Sequence, residues 1–264
     1  MVDVRVFIEG LLLEPTILLV AAALLAGLLD AVVGGGGLIQ VPALFGAYPA
    51  ASPATLFATN KLASIFGTGL AARTYWKTVP VDLSLLLPAT GASLVFGFAG
   101  AWAMALVPPD IFRKVLPFIL GLVALHVFRH KDFGVRGAQE FEGRGKAAAA
   151  ALLGAAIGFY DGFFGPGTGS FLVFLLVRVF GQDFLQASAS AKIINVACNF
   201  AALVWFVPTT TPLWQTAALM AVFNMLGAWL GARLAIKEGA AFVRRVFLAV
   251  VLGLIAKTAW DAFG

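Results

Sequence analysis

Charge is scarce in this chain, and that scarcity decides its class. Only 12% of the 264 residues are charged, 61% are hydrophobic, and the mean hydropathy is +0.96. A soluble domain carries about 25% charged residues, so this composition cannot cover its apolar surface with a water-facing shell. Cysteine is nearly absent. The single Cys198 excludes an intramolecular disulfide and a multi-cysteine metal site. It lies inside an apolar segment and reads as a small packing residue. The two histidines, His126 and His130, sit at the end of an apolar run and read as interfacial. No nucleophile–base pair or metal cluster of His, Cys and Asp appears, so no enzyme activity, metal or cofactor is expected. No ATP-binding loop is present. The net charge of +5 is no nucleic-acid signal, because the basic residues lie at the ends of apolar stretches.

Long apolar stretches are what the chain has instead. They cover 16–29, 83–107, 112–128, 147–164, 213–235 and 242–260. Runs approaching 20 residues, repeated this often, argue for membrane helices and a multi-pass protein in a lipid bilayer. The start of the chain makes a poor secretory signal, because Asp3, Glu9 and Glu14 replace the usual positive region. Trp76, Trp205, Trp214 and Trp260 fall near expected span ends, as an aromatic belt does.

A polar pattern interrupts the apolar sequence twice. Asp30 is followed by Gly34, Gly35, Gly36 and Gly37, then by Asn60 and Lys61. Asp161 is followed by Gly165, Pro166, Gly167 and Thr168, then by Ala191 and Lys192. The interval is 131 residues throughout, and it extends to Gly100 with Gly231 and Arg113 with Arg244. The chain therefore divides into a first transmembrane repeat at 1–130, a cytoplasmic linker at 131–146 and a second repeat at 147–264. Each half reads as a glycine-broken segment and three helices: 16–48, 53–76, 82–107 and 111–129, then 147–180, 183–207, 212–236 and 240–262. Pro53, Pro80, Pro108, Pro109, Pro208 and Pro212 punctuate them.

Charge counting chooses the topology. If each broken segment crosses once, nine Lys or Arg residues fall on one face and seven on the other, which is no bias. If each segment turns back at its glycines, the halves are inverted. One face then receives twelve, from Arg73 and Lys77 through the 131–146 linker to Arg244 and Arg245. The other receives four: Arg5, Arg113, Lys114 and Lys257. The positive-inside rule favours the second arrangement, with the linker cytoplasmic and both termini outside. The expected fold is an all-α integral membrane protein of two inverted repeats, each a Gly-broken helical hairpin plus three transmembrane helices.

The breaks carry the chemistry. Each glycine inside a helix costs about 1 kcal/mol against alanine, so a cluster implies unwinding. Backbone groups freed in a membrane must face protein or a water-filled cavity. The helix that resumes presents its positive end there, which suits an anion. Gly35, Gly36, Gly37, Gly167 and Thr168 are therefore candidate substrate contacts. Scattered glycines such as Gly91, Gly97, Gly100, Gly227 and Gly231 read as close-packing residues.

Lys61 and Lys192 lie several residues inside apolar helices, where an ionisable group is functional by default. Three readings stay open for them: a ligand for an anion, a snorkelling interfacial lysine, or a partner for Asp30 or Asp161, within a half or crosswise. Asn60, Asn195 and Asn199 are placed to donate to an oxyanion. Asp30 and Asp161 read either as caps for the glycine breaks or as titrating groups that couple transport to protons. Asn224 and Gln215 are weaker candidates.

These residues resemble a known family. Asp30 before Gly34–Gly35–Gly36–Gly37–Leu38–Ile39, then Pro42, then Thr59–Asn60–Lys61 and Gly67–Thr68, looks like the sulfite exporter TauE/SafE family, the TSUP membrane transporters of YfcA type. Asp161–Gly162–Phe163–Phe164–Gly165–Pro166–Gly167–Thr168–Gly169, with Ala189, Lys192 and Asn195, is similar to the family's second repeat. The resemblance spans nearly the whole chain. It implies a multi-pass carrier of the bacterial inner membrane, exporting in type, for sulfur-containing anions such as sulfite and sulfonates. Ala191 in place of Asn60 and Pro166 in place of Gly35 make the two copies unequal. A secondary carrier working by alternating access is expected. An uncoupled anion channel, or a carrier of another small organic anion, is the alternative. Protons as coupling ion and a homo-oligomeric state are both compatible with the sequence.

Overall fold

The computed structural model describes residues 14–112 and 143–263, and these are helical with no strand among them. The helices are α1 (Glu14–Val33), α2 (Gly37–Ala47), α3 (Pro53–Trp76), α4 (Leu83–Ala105), α5 (Gly143–Phe163), α6 (Thr168–Phe180), α7 (Phe184–Thr209) and α8 (Trp214–Phe263). Within α8, Gly239 adopts φ 76° and ψ −173°. The run is thus two helices in series, divided where the sequence separates 212–236 from 240–262. The expected helix 111–129 and most of the 131–146 linker lie outside the described residues. Residues 143–146 form the first turn of α5.

Local chemistry sets the starts. Ser52 accepts a hydrogen bond from Thr55 N at 3.1 Å, and Pro53 follows it as the first residue of α3. Asp183 does the same for α7, accepting from the backbone N–H groups of Leu185 and Gln186. Asp82 caps α4 through Ser84 N. Gly37, Pro53 and Leu83 begin helices in the first half. Thr168, Phe184 and Trp214 begin them in the second, each 131 positions on.

The halves interlock. The fourth helix of each lies along the first helix of the other, α4 on α5 and α8 on α1, while α3 packs on α7. Small residues make this possible. A Cβ at Gly162 would come within 2.0 Å of Gly97 O, and one at Gly227 within 2.0 Å of Leu24 O. Gly97, Gly100 and Gly231 share these crossings, but Gly91 faces open space. The helices α3 and α7 run antiparallel: Thr55 near the start of α3 lies 3.2 Å from Thr210 beyond the end of α7. A buried core of residues including Val33, Tyr75, Leu86, Leu153, Leu172 and Ile194 draws on both halves.

Outward surfaces are apolar. Leu152, Leu87 and Val95 are 72%, 67% and 66% exposed, which in water would be a liability and in lipid is the natural contact. Among the described residues, four helices are long and apolar enough to cross a membrane: Pro15–Val33, Leu83–Ala105, Phe184–Thr209 and Trp214–Val246.

At the edge of this bundle, Lys146 of α5 pairs with Asp82 at the start of α4. Partial burial pushes the Asp82 carboxyl up, but hydrogen bonds from Lys146 and Ser84 outweigh it and hold the group below its ordinary value. A lowered folded pKa stabilises above the unfolded value, near pH 4. That contribution fades as pH falls through the folded value. Asp82→Ala is expected to lose about 1 kcal/mol, the usual worth of an N-cap. Thermal unfolding of purified protein should show the difference at pH 7 and show it shrinking toward pH 3.

Candidate functional site

Two helix breaks meet at the centre of the interlock. In the first half α1 stops at Val33, Gly34 takes φ 81°, and α2 resumes at Gly37. In the second, α5 stops at Phe163, Gly165 and Gly167 take φ 91° and 85°, and α6 resumes at Thr168. The backbone at the first break is satisfied by the second half. Ser170 N donates to Gly34 O at 2.9 Å, Ser170 Oγ to Val33 O at 3.1 Å, and Ser188 Oγ to Val32 O at 2.8 Å.

The two resumed helices differ from their neighbours at one point. The starts of α3, α4 and α7 carry side-chain caps, whereas α2 and α6 have none. Their first residues, Gly37 and Thr168, face a polar cavity of about 30 Å³, more than the ~10–15 Å³ that one water needs. Two positive helix ends are thereby directed into one polar cavity.

Asp30, Gly34, Asn60, Lys61, Ser64 and Thr68 line this cavity from the first half. Asp161, Gly165, Gly167, Gly169, Asn195 and Asn199 line it from the second. The lysines pair crosswise between halves. Lys61 Nζ lies 2.6 Å from Asp161 Oδ2, and Lys192 Nζ lies 3.0 Å from Asp30 Oδ2. With Lys61 2% and Lys192 0% exposed, the snorkelling reading is excluded. The capping reading of the aspartates is corrected as well. Neither break has a side-chain cap; each carboxylate accepts instead from a lysine, and Asp30 also from Thr68 Oγ1 at 3.3 Å. A full ammonium charge brought in by the other half outcompetes a partial backbone charge. Lys61 Nζ also reaches Asn199 Oδ1 at 3.4 Å, and Asn199 Nδ2 donates to Asn195 Oδ1 at 3.1 Å. The side-chain oxygen of Asn60 has no partner among the described residues.

Of the residues singled out from sequence, Asp30, Gly37, Asn60, Lys61, Asp161, Gly167, Thr168, Asn195 and Asn199 are on the cavity wall. Gly35 and Gly36 are buried beside it, and Lys192 sits behind Asp30. Asn224 lies away from the cavity, donating to Gln40 Oε1 at 3.0 Å. Gly34, Ser64, Thr68, Gly165 and Gly169 join the wall without having been named as candidate substrate contacts. The signal for Thr68 was its place seven residues after Lys61, on the same helix face.

Broken helices, buried ion pairs and a polar cavity inside an apolar bundle define a membrane transporter. The pattern of the family described as Sulfite exporter TauE/SafE matches residues 19–258. "Probable membrane transporter protein YfcA" of Escherichia coli (strain K12) is 33% identical over 243 residues, 92% of this chain and 88% of that protein. "Probable membrane transporter protein ORF9" of Sinorhizobium sp is 34% identical over 247 residues, 92% of each. A "Probable membrane transporter protein" of Haemophilus influenzae is 30% identical over 253 residues, 92% of this chain and 94% of that one. No solved structure matches significantly. The chain belongs to the TauE/SafE family: a multi-pass inner-membrane transporter of a small substrate, and not an enzyme.

Proposed function

We propose that this protein is a secondary carrier for small sulfur-containing anions, with the anion bound in the cavity between the two glycine breaks. The observation that carries this is the convergence of two helix ends without side-chain caps, at Gly37 and Thr168, with Lys61 on one wall. Helix N-termini and an ammonium group recognise oxyanions, and glycine lets the ligand approach the backbone. The side-chain amide N–H groups of Asn60, Asn195 and Asn199, all on the cavity wall, supply neutral donors. A cavity this small suits an anion of a few heavy atoms. The family's description as a sulfite exporter favours sulfite or a small sulfonate and outward flux.

The proposed architecture is an inverted repeat, with halves at 1–130 and 147–264 joined by the cytoplasmic linker 131–146. Each broken segment forms a hairpin. Support comes from α3 and α7, equivalent helices that begin 131 residues apart yet run antiparallel. Equivalent elements pointing in opposite directions are what inversion requires. Transport proceeds by rocking one half against the other, with Lys61 and Lys192 balancing the anion's charge and Asp30 or Asp161 carrying a coupling proton.

The deciding experiment is equilibrium binding of sulfite, sulfate, thiosulfate and small sulfonates to purified protein. Saturable binding of at least one is expected, and it should weaken in Lys61→Ala. If none binds, the anion reading is lost.

A further inference from the structure

The charges of the cavity cancel before any ligand enters. Lys61 and Lys192 meet Asp161 and Asp30 at 2.6 and 3.0 Å, and no further charged residue lines the cavity among the described residues. A monoanion entering alone would leave one uncompensated charge deep in the membrane, which is strongly disfavoured. A positive charge must therefore accompany it.

The two ion pairs differ in where that charge can settle. Lys61 and Asp161 both face the cavity, with side chains only 2% and 4% exposed. Lys192 is sealed off, but its partner Asp30 faces the cavity with a side chain 16% exposed. A proton on Asp30 neutralises that carboxylate and leaves the Lys192 ammonium as the charge the anion balances. The surroundings supply few competitors. The helix α3 brings Lys61 and Tyr75, whose hydroxyl donates to Ala31 O. The helix α7 brings Lys192, and α5 brings Asp161 on the cavity wall. No Asp, Glu, Lys, Arg or His occurs in α2, in 168–177 of α6 or in 214–232 of α8.

We propose that each monoanion crosses together with one proton carried on Asp30, so that transport is electroneutral; Lys61 touches the anion, and Lys192 acts on it only through Asp30. This rests on the reading of the cavity as an anion site. The proton binds a carboxylate oxygen of Asp30 on one face and leaves to the other as the anion departs, and the Lys192–Asp30 pair re-forms. The membrane potential then drives nothing. Flux follows the anion and proton gradients alone, so an anion made inside leaves down its own gradient.

The test uses the full chain in liposomes, with methanesulfonate as a probe that stays monoanionic and the potential clamped by potassium and valinomycin. Accumulation is expected to be the same at zero and at about 100 mV, and to rise with an inward proton gradient. A carrier moving one net charge would shift its accumulation ratio roughly 50-fold per ~100 mV, and that result overturns the proposal. So does accumulation driven by a sodium gradient at equal pH. Asp30→Asn is expected to lose the response to the proton gradient and to make its residual flux potential-dependent. A variant that still responds to the gradient removes Asp30 from the role. The wild-type measurement stands even if the variant does not fold. If no sulfur anion binds or moves, the anion site itself is wrong and this proposal falls with it. If anions move with net charge, only the electroneutral coupling falls.

Discussion

Lys61→Ala is expected to insert into the membrane and to lose anion binding by roughly 30- to 4,000-fold. The range follows from about 2–5 kcal/mol for truncating one partner of a buried charged contact, at tenfold per ~1.4 kcal/mol. The substitution has a second effect that must be separated from the first. It strands the Asp161 carboxylate, whose side chain is 4% exposed, and breaking a buried pair from one side destabilises by about 3–5 kcal/mol. Thermal unfolding in detergent should register that loss. The double variant Lys61→Met with Asp161→Asn removes both charges together, which is often near neutral for stability. It should therefore recover most of the unfolding temperature and none of the anion binding. If the double variant binds anion as the wild type does, Lys61 is a structural lysine and the cavity is not the site.

The sequence made the helix starts legible because local chemistry sets them. Ser52 with Pro53, and Asp183 before Phe184, are cap signals that need no tertiary information. The glycine clusters announced the breaks for the same reason, since Gly34 and Gly165 adopt backbone angles that other residues avoid. The crosswise pairing of Lys61 with Asp161 and of Lys192 with Asp30 stayed open. It depends on how the halves interlock, and no local propensity records which lysine meets which carboxylate. The same ambiguity hid the inequality of the lysines. Lys61 and Lys192 occupy equivalent positions in the repeat, yet one faces the cavity and the other stands behind Asp30. Departures such as Ala191 for Asn60 hinted at asymmetry without saying which copy would meet the ligand.

Gly34→Ala should be the most damaging of the small substitutions, for two independent reasons. At φ 81° an added Cβ is strained wherever it points, by about 1–2 kcal/mol. It would also lie 2.1 Å from the carbonyl carbon of Gly169. That neighbour is backbone, so it cannot rotate away, and overpacking of this kind adds about 1–3 kcal/mol. The strain falls where function would feel it. Gly34 and Gly169 both line the cavity, and Gly34 O accepts the hydrogen bond from Ser170 N that ties one break to the other. Separating the two breaks would widen the space between the helix ends at Gly37 and Thr168. Gly34→Ala is thus expected to lower stability by about 2–5 kcal/mol, the sum of the two costs, and to lose anion binding with it. Gly91→Ala supplies the contrast. That residue lies within α4, and a Cβ there meets nothing within 4 Å. The exchange should gain up to about 1 kcal/mol from helix propensity alone and leave binding unchanged. Equal losses in the two variants would show that the membrane-embedded helices resent any added methyl, and would remove the special standing of the Gly34–Gly169 contact.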